Sequence, residues 1–456
     1  FLFLVLTMEE FLSRCRQAAE YLAKRKRVTV IGHRDADGIC ASVILKEGFA
    51  ESDVDIRIIR HYTDLGKLAE ECKGALAVFV DYGSSEIESI ENSFDDFLIL
   101  DHHPSVRPHA MMVNPWEYGI DGTRELSGAG VSYFVAREHN GGNRALSNLA
   151  IIGAMGDKMH LSGFKGPNST ILEDARNVGI IEDGGAYEDI LVHGLRFSND
   201  GESALKVANI IDSCASVNRP EVAVEMLAGN MRAFETAMVL YDDYRRRYDA
   251  QMDAIMSNWE RISKENSQHL AYFVYLSEVE PGFTGVLAEE LVLRFTDKPV
   301  VVVSKAPYGL KASARSTMRQ ITETGIDLGR AMSEASSYCG GRGGGHDVAA
   351  GASFREDQLE EFKSLTTLGL FSQWRSRLKM RFELVTDGQK ESASLASSLA
   401  VDNERYGSTT SMAIPQGNKI YIMVTSEDIG TFKNTVDDLI VCLTSIKDLV
   451  GTGMDH

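Results

Sequence analysis

The chain has 456 residues, 44% of them hydrophobic, and a formal net charge of -19. It is long enough for two or three domains with packed cores, and it lacks the basic excess of a protein coated for nonspecific duplex binding. Its six cysteines (Cys15, Cys40, Cys72, Cys214, Cys339, Cys442) are scattered with no C-x-x-C pair, which argues against a zinc knuckle or a disulfide framework and for reduced thiols in a soluble cytoplasmic protein.

The apolar start FLFLVLT is too short to span a bilayer, and no later run approaches that length, so no membrane partner is expected. Residues 1–7 read as an artefact of the gene start, because Met8 opens an amphipathic helix that runs to Lys26. Then comes Val28 to Ala41, VTVIGHRDADGICA, a β-rich apolar run carrying His33, Asp35 and Asp37 at alternating positions before a helix-like ICASVILKEG. Alternating positions of an extended segment share a face. One imidazole and two carboxylates are therefore expected to converge, and converging anions need a cation between them. The competing reading has Asp35 and Asp37 in Asx turns that cap the following helix.

Val54 to Arg60 (VDIRIIR), Ala75 to Asp81 (ALAVFVD) and Phe97 to Asp101 (FLILD) read as further strands, with short helices in LGKLAEEC and SSEIESIENS. Short apolar strands alternating with helices predict an α/β fold built on a doubly wound parallel sheet. Such sheets bind ligands at the carboxyl ends of their strands. The acids fall at that edge: Asp35 and Asp37 after the first strand, Asp81 closing the third, and Asp101, His102 and His103 closing the fourth. Asp157 ends the apolar helical run Leu146 to Lys158, where a carboxylate needs a partner.

Taken in order, HRDADG, VDYG, LDHHP and GAMGDK resemble the four metal motifs of the DHH phosphoesterase superfamily, over about Arg27 to His160. That superfamily includes RecJ-type exonucleases, oligoribonucleases and family II pyrophosphatases. The resemblance implies two divalent cations. Asp35 and Asp81 would hold one, while Asp37, Asp81, His102 and Asp157 would hold the other, with Asp81 shared. His33 matches the histidine that supplements the first site in pyrophosphatase-like members, where bacterial RecJ proteins tend to carry an aspartate. His103 would face the phosphate or the leaving group, and Asp101 would orient the neighbouring histidine. Two close cations can activate a water, hold the nonbridging oxygens and neutralise a leaving oxyanion. Mixed carboxylate and imidazole ligation favours Mn2+, with Mg2+ as the second candidate.

Residues 161–267 are expected to be a helical connector, with a helix around Ile171 to Val178, small helices from Tyr187 to Cys214 and long ones from Glu221 to Ser263. Arg245, Arg246 and Arg247 read as a solvated helix face. Residues 268–368 form a second α/β unit, with strands in LAYFVYL, KPVVVVSKA and GLKASARS and helices in VLAEELVLRF and GRAMSEASSYC. The glycine run in Gly340 to Phe354 suits a loop that presents N–H groups to an anion. With its SARS-type strand and GGGH signature, the segment resembles the DHHA1 domain that accompanies DHH domains. By that match Arg315 and His346 would bind substrate phosphate, Gly343, Gly344 and Gly345 would shape the loop, and Lys305, Lys311 and Arg342 would assist. Tyr308 is expected either to stack on a base or to be buried.

Residues 369–456 read as a small α+β domain: strand RFELVT, helix KESASLASSLAVDN, a hairpin of TSMAIP and KIYIMVTS, and a long final helix. LAVDNE and FKNTVDDL resemble the small dimerising subunit of the KEOPS tRNA-modification complex, which implies a homodimer contact or an RNA contact. No OB-fold pattern of the kind found in bacterial RecJ proteins is visible.

Residues 1–160 are thus expected to be the catalytic domain of a RecJ-like exonuclease that hydrolyses single-stranded DNA or RNA from an end. Two alternatives stand beside it. One is a nanoRNase-type phosphodiesterase for short oligonucleotides or cyclic dinucleotides. The other is a replication or repair component that binds GINS.

Overall fold

The computed structural model describes residues 2–59, 64–182, 185–374, 378–399, 409–426 and 428–451, without the side chains of 2–7, 162 and 445–451. It divides into two compact units, Phe1–Arg245 and Arg246–His456.

The first unit opens with helix α1 (Leu2–Ala23), followed by β1 (Arg27–Gly32), α2 (Ala36–Gly48), β2 (Asp53–Ile58), α3 (Leu65–Glu71), β3 (Leu76–Val80), α4 (Ile87–Ser93), β4 (Phe97–Leu100) and the short β5 (Met112–Val113). All pairings in this sheet are parallel, in the order β2-β1-β3-β4-β5. The strand expected through Arg60 ends at Ile58, and Arg60 lies outside the described residues. Side chains alternate across the sheet. Val78, Val80, Leu98 and Leu100 join one core with Phe11, Cys15, Ala18 and Leu22 of α1. Ala77, Phe79, Phe97 and Ile99 join a second core with Leu68, Ile87 and Ile90 of α3 and α4. Helices therefore cover both faces, as the α/β alternation implies.

The first core continues through α5 (Gly128–His139), α6 (Ser147–Gly156) and α7 (Pro167–Asn177). The stretch expected to hold only small helices contains instead a three-stranded antiparallel sheet of β6 (Ile181–Glu182), β7 (Leu191–Val192) and β8 (Glu202–Ser203). Two-residue strands leave no periodic signal in sequence; their pairing is a tertiary event. Helices α8 (Ala204–Ser216), α9 (Pro220–Leu227) and α10 (Met231–Ser257) follow. Phe164, Ile171, Ile190, Val207, Ile211, Met226 and Ala237 all belong to the first core, so most of the segment expected as a connector packs as part of the first unit.

The second unit takes the part of α10 from Arg246 onward and continues with α11 (Trp259–Glu265), β9 (Tyr272–Tyr275), α12 (Thr284–Arg294), β10 (Val300–Ala306), β11 (Gly309–Arg315), α13 (Met318–Thr324), α14 (Leu328–Tyr338), β12 (Arg342–Gly345), β13 (Ala349–Phe354) and α15 (Leu359–Gln373). Its sheet runs β12-β13-β11-β10-β9. The glycine run expected as a loop is β12, an edge strand paired antiparallel with β13. Its glycines differ in purpose. A Cβ on Gly343 would come within 2.6 Å of Ser336 Oγ, so that glycine lets α14 lie against the strand. Gly345, at φ 136°, makes the turn toward β13.

A last sheet, β14 (Leu378–Val385), β16 (Lys419–Ser426) and β15 (Thr410–Gln416) in spatial order, follows with α16 (Gln389–Leu399) and α17 (Ile429–Gly451). Ala413, Ile420, Ile422 and Val424 face Ala396, Leu399, Val436 and Leu439 of the two helices. Met412, Ile414 and Met423 on the other face join the core that contains Phe362 and Leu370 of α15. Most of the LAVDNE motif, Ala400 to Glu404, lies outside the described residues. No helix among the described residues is long and apolar enough to cross a membrane.

His269 makes the second unit acid-sensitive. Its Nδ1 lies 2.9 Å from Thr367 Oγ1, and burial, with the charges of Lys363 and Lys298, pushes the imidazole down to about 3. An unfolded histidine titrates near 6.5, so between those values the unfolded chain holds a proton that the folded chain refuses. The stability this contributes is present above about pH 6.5 and is lost as pH falls toward 3, by at most about 1.4 kcal/mol per pH unit. In denaturant titrations at a series of acidic pH values, His269→Gln is expected to flatten this slope. An unchanged slope would mean the sensitivity originates elsewhere.

Candidate metal centre

The sheet order β2-β1-β3 reverses the chain's direction of winding at β1 and β3, and a crevice opens where the strand order reverses. All the motif residues of the first unit gather there. Strand β1 stops at Gly32, where a Cβ would sit 2.1 Å from Ser42 Oγ of α2. The expected extended segment carrying His33, Asp35 and Asp37 does not form, because α2 begins at Ala36. Asp35 is its N-cap, with Oδ1 accepting from Gly38 N at 3.1 Å and Oδ2 lying 2.7 Å from His33 Nδ1. Capping and facing the crevice are thus compatible for one carboxylate. Asp37 sits in the first helical turn instead, fully buried. Its oxygens accept from the backbone N–H groups of Gly128 (2.6 Å) and Ala129 (3.0 Å) at the start of α5.

Asp81 follows β3 with φ 55°, a left-handed conformation that costs energy for a non-glycine residue. It is 2% exposed. Oδ2 lies 3.6 Å from His33 Nδ1, and Oδ1 lies 3.1 Å from His102 Nε2. The carboxylate thus faces both sides of the cluster. Asp157 ends α6, brought close by small residues: a Cβ on Gly153 would meet Asp37 Oδ1 at 2.5 Å, and one on Gly156 would meet Ala36 Cβ at 2.7 Å.

His102 decides whether a cation fits. Its Nδ1 is 2.6 Å from the carbonyl of Gly122, which can only accept, so Nδ1 carries the hydrogen and Nε2 is left with the free lone pair. Nε2 points at Asp81 Oδ1 (3.1 Å), Asp157 Oδ2 (3.3 Å) and Asp37 Oδ2 (3.8 Å). Three carboxylates around one lone pair repel unless something positive stands among them. Asp81 Oδ1 is also buried without a hydrogen-bond partner. Burial and the Asp81 charge push the Asp37 carboxyl up to about 7, and burial with the Asp37 charge raises Asp157 well above the carboxylate range. A divalent cation reverses that preference. The donor set suits one: His33, Asp35 and Asp81 form one converging group, and Asp37, His102 and Asp157 another.

Asp101 holds the other histidine. Its Oδ1 accepts from His103 Nδ1 at 2.9 Å and from the backbone N–H of His102 at 2.8 Å, while Oδ2 accepts from Ser84 N at 2.9 Å. Although burial opposes ionisation, these bonds and the two imidazoles keep Asp101 well below the usual carboxylate range. The imidazole that it orients is His103, leaving His103 Nε2 to face outward.

Asp212 went unnoticed in the sequence. From α8 its Oδ1 accepts from Ala36 N at 2.8 Å, steadying the turn between Asp35 and Asp37. Burial and the Asp35 charge push its carboxyl up to about 7. Its one sequence signal is an acid beside the apolar stripe of Ala208, Ile211 and Ala215.

In the second unit, Arg315 and His346 meet at one end of the sheet: Arg315 pairs with Ala349, and His346 N donates to Ala349 O at 2.7 Å. Lys311 Nζ donates to Pro281 O at 2.8 Å, and Lys305 pairs with Glu356 at 2.8 Å. Arg342 is exposed. Tyr308 is fully exposed, which removes the expectation of a buried ring. Arg245 and Arg246 are exposed, as a solvated face requires, whereas Arg247 is half-buried: it pairs with Glu280 and lies 5.2 Å from the Phe283 ring centroid.

Family comparisons agree with this arrangement. Residues 27–156 match the DHH family, N-terminal domain, and residues 269–367 match the DHHA1 domain. An uncharacterised protein of Methanocaldococcus jannaschii is 25% identical over 412 residues, 74% of this chain and 91% of that protein. The single-stranded-DNA-specific exonuclease RecJ of Bacillus subtilis is 23% identical over 390 residues, 78% of this chain, which spans 47% of that relative's length. In fold, the crystal structure of Thermus thermophilus RecJ with Mn2+ matches with a TM-score of 0.59 at 22% identity, covering 78% of this chain and 54% of that one.

Proposed function

For a chain that belongs to the DHH/DHHA1 proteins, we propose hydrolysis of single-stranded nucleic acid from an end, as in a RecJ-like exonuclease. The observation that carries this reading is the ring of Asp37, Asp81 and Asp157 oxygens around His102 Nε2. His33, Asp35 and Asp81 would hold one divalent cation and Asp37, Asp81, His102 and Asp157 a second, Mn2+ being the better match to this ligand set. Bound there, the cations would activate a water and neutralise charge on the phosphodiester.

The chain's own residues supply the rest. Hydrolysis adds the hydroxyl of water to phosphorus, breaks a phosphorus–oxygen ester bond and leaves a proton for the departing oxygen. His103, tied by Nδ1 to Asp101, offers Nε2 to hold that proton where the leaving oxygen emerges. Arg315 and His346 bind a substrate phosphate, Gly343, Gly344 and Gly345 shape the strand beside them, and Lys311 meets the substrate further along β11.

Single-stranded DNA and RNA of several lengths, labelled at either end and incubated with Mn2+ or Mg2+, test the reading. Stepwise shortening from one end supports it. Activity confined to dimers and trimers would favour a short-oligonucleotide phosphodiesterase, and no hydrolysis at all would favour a GINS-binding component. In the same assay, His346→Ala is expected to raise KM about tenfold or more, the scale of one lost hydrogen bond to a charged group, with metal affinity retained. An equal loss of metal binding would show the role to be misassigned.

A further inference from the structure

The second unit's sheet has two unlike faces. Leu310, Ala312, Ala314, Ala350, Ala352 and Phe354 turn into the core. The alternate residues, Lys311, Ser313 and Arg315 on β11 and Gly351 and Ser353 on β13, take the opposite face. There the register sets Lys311 beside Ser353 and Ser353 beside Arg342, and sets Gly351 beside Gly344. The first turn of α12 covers β11, with Thr284 Oγ1 2.9 Å from Ser313 Oγ. Beyond it the surface is open: Gly351 and Ser353 are exposed, and a Cβ on Gly344 would meet nothing within 4 Å. The result is a flat, glycine-floored strip with cations at both ends.

Arg315 and His346 stand at one end of the strip. Lys311 and Arg342 mark the other, four residues along β11, or about 13 Å away. Two rings stand at that second end. Tyr308, 102% exposed, occupies the turn between β10 and β11, and Tyr338, 80% exposed, ends α14. Both are anchored to the same short segment. Gly309, next to Tyr308, lies so close that a Cβ would come 2.3 Å from Phe354 O, and the carbonyl of Cys339, next to Tyr338, accepts from Arg355 N at 3.2 Å. The tyrosines therefore bracket the end of β13 from either side.

We propose that this strip is a binding track for a single-stranded oligonucleotide longer than a dinucleotide. With one phosphate at Arg315 and His346, an assignment that rests on the function proposed above, a later phosphate reaches Lys311 and Arg342. The bases beyond it stack on Tyr308 and Tyr338. Interleaved cations and exposed aromatic faces suit a nucleic acid strand of any sequence, because every base has a face to stack. The glycine floor admits the sugar-phosphate chain close to the sheet.

The test is hydrolysis by the full chain with Mn2+ of single strands that lengthen from a dinucleotide to a dodecamer, by wild type, Tyr308→Ala, Tyr338→Ala, the double variant and the Tyr→Phe pair. Wild-type kcat/KM should rise with length. Each alanine should remove about tenfold of that rise, the scale of one lost base stack, and phenylalanine should restore it. If wild type digests strands with no gain with length, or with a gain that the alanine variants keep, the track is wrong while the exonuclease reading survives. If wild type digests no nucleic acid at any length, the functional reading falls and the track falls with it.

Discussion

Asp81→Ala is expected to abolish hydrolysis, lowering kcat/KM by a thousandfold or more. Loss of cation-assisted charge stabilisation is worth several kcal/mol, at about 1.36 kcal/mol per tenfold. Asp81 faces His33 with one oxygen and His102 with the other, so its removal opens both ligand groups at once. A second readout separates this from simple unfolding. In the metal-free protein Asp81 crowds Asp37, so removing it relieves repulsion, and the variant should melt no earlier than wild type once chelator is present. Adding Mn2+ should raise the Tm of wild type, because a cation that binds only the folded state stabilises it. The variant should show little of that rise. Substantial turnover by Asp81→Ala in Mn2+ would contradict the shared role.

Gly128→Ala is the second large effect expected, and no motif announces it. Gly128 opens α5, and its N–H reaches Asp37 Oδ2 at 2.6 Å. A Cβ there would stand 2.7 Å from Asp81 Cβ and 2.9 Å from both Asp37 Oδ2 and Asp81 Oδ1. Alanine is the better helix former by about 1 kcal/mol, so helix propensity cannot explain a loss. The methyl group must push Asp37 and Asp81 apart or move α5. Activity should fall by about a hundredfold or more, the upper range for disturbing groups that orient metal ligands, and the Mn2+-induced rise in Tm should shrink with it. Gly388→Ala, where a Cβ meets nothing within 4 Å, is the matched control and should leave activity unchanged. Wild-type activity in Gly128→Ala would mean that the two carboxylates tolerate displacement.

The side chains that the sequence singled out in the first unit are the ones the fold gathers, yet the local reason for their convergence differs from the one the sequence suggested. His33, Asp35 and Asp37 were expected on one face of an extended segment. They meet because α2 starts three residues sooner, at Ala36 and not Ile39, turning Asp35 into a cap and sinking Asp37 against α5. The glycine run was legible as backbone that something approaches closely. That the approaching group is α14 at Gly343, with open solvent at Gly344, was not.

By itself the sequence determined the alternation of strand and helix, the identity of the acids and imidazoles, and their placement at strand ends. Each of these is written in hydrophobic period and residue type over a few neighbouring positions. Only the tertiary structure decided which backbone N–H groups hold Asp37, which carbonyl orients His102, that Asp212 reaches Ala36, and that Tyr308 and Tyr338 flank one strand end. The hydrogen-bonded pairings among these join residues from 20 to 176 positions apart, with His102 and the Gly122 carbonyl at the near end and Ala36 and Asp212 at the far end. They are set by how helices and strands pack, where small residues such as Gly128, Gly153 and Gly156 allow close approach, and no local pattern along the chain encodes that distance.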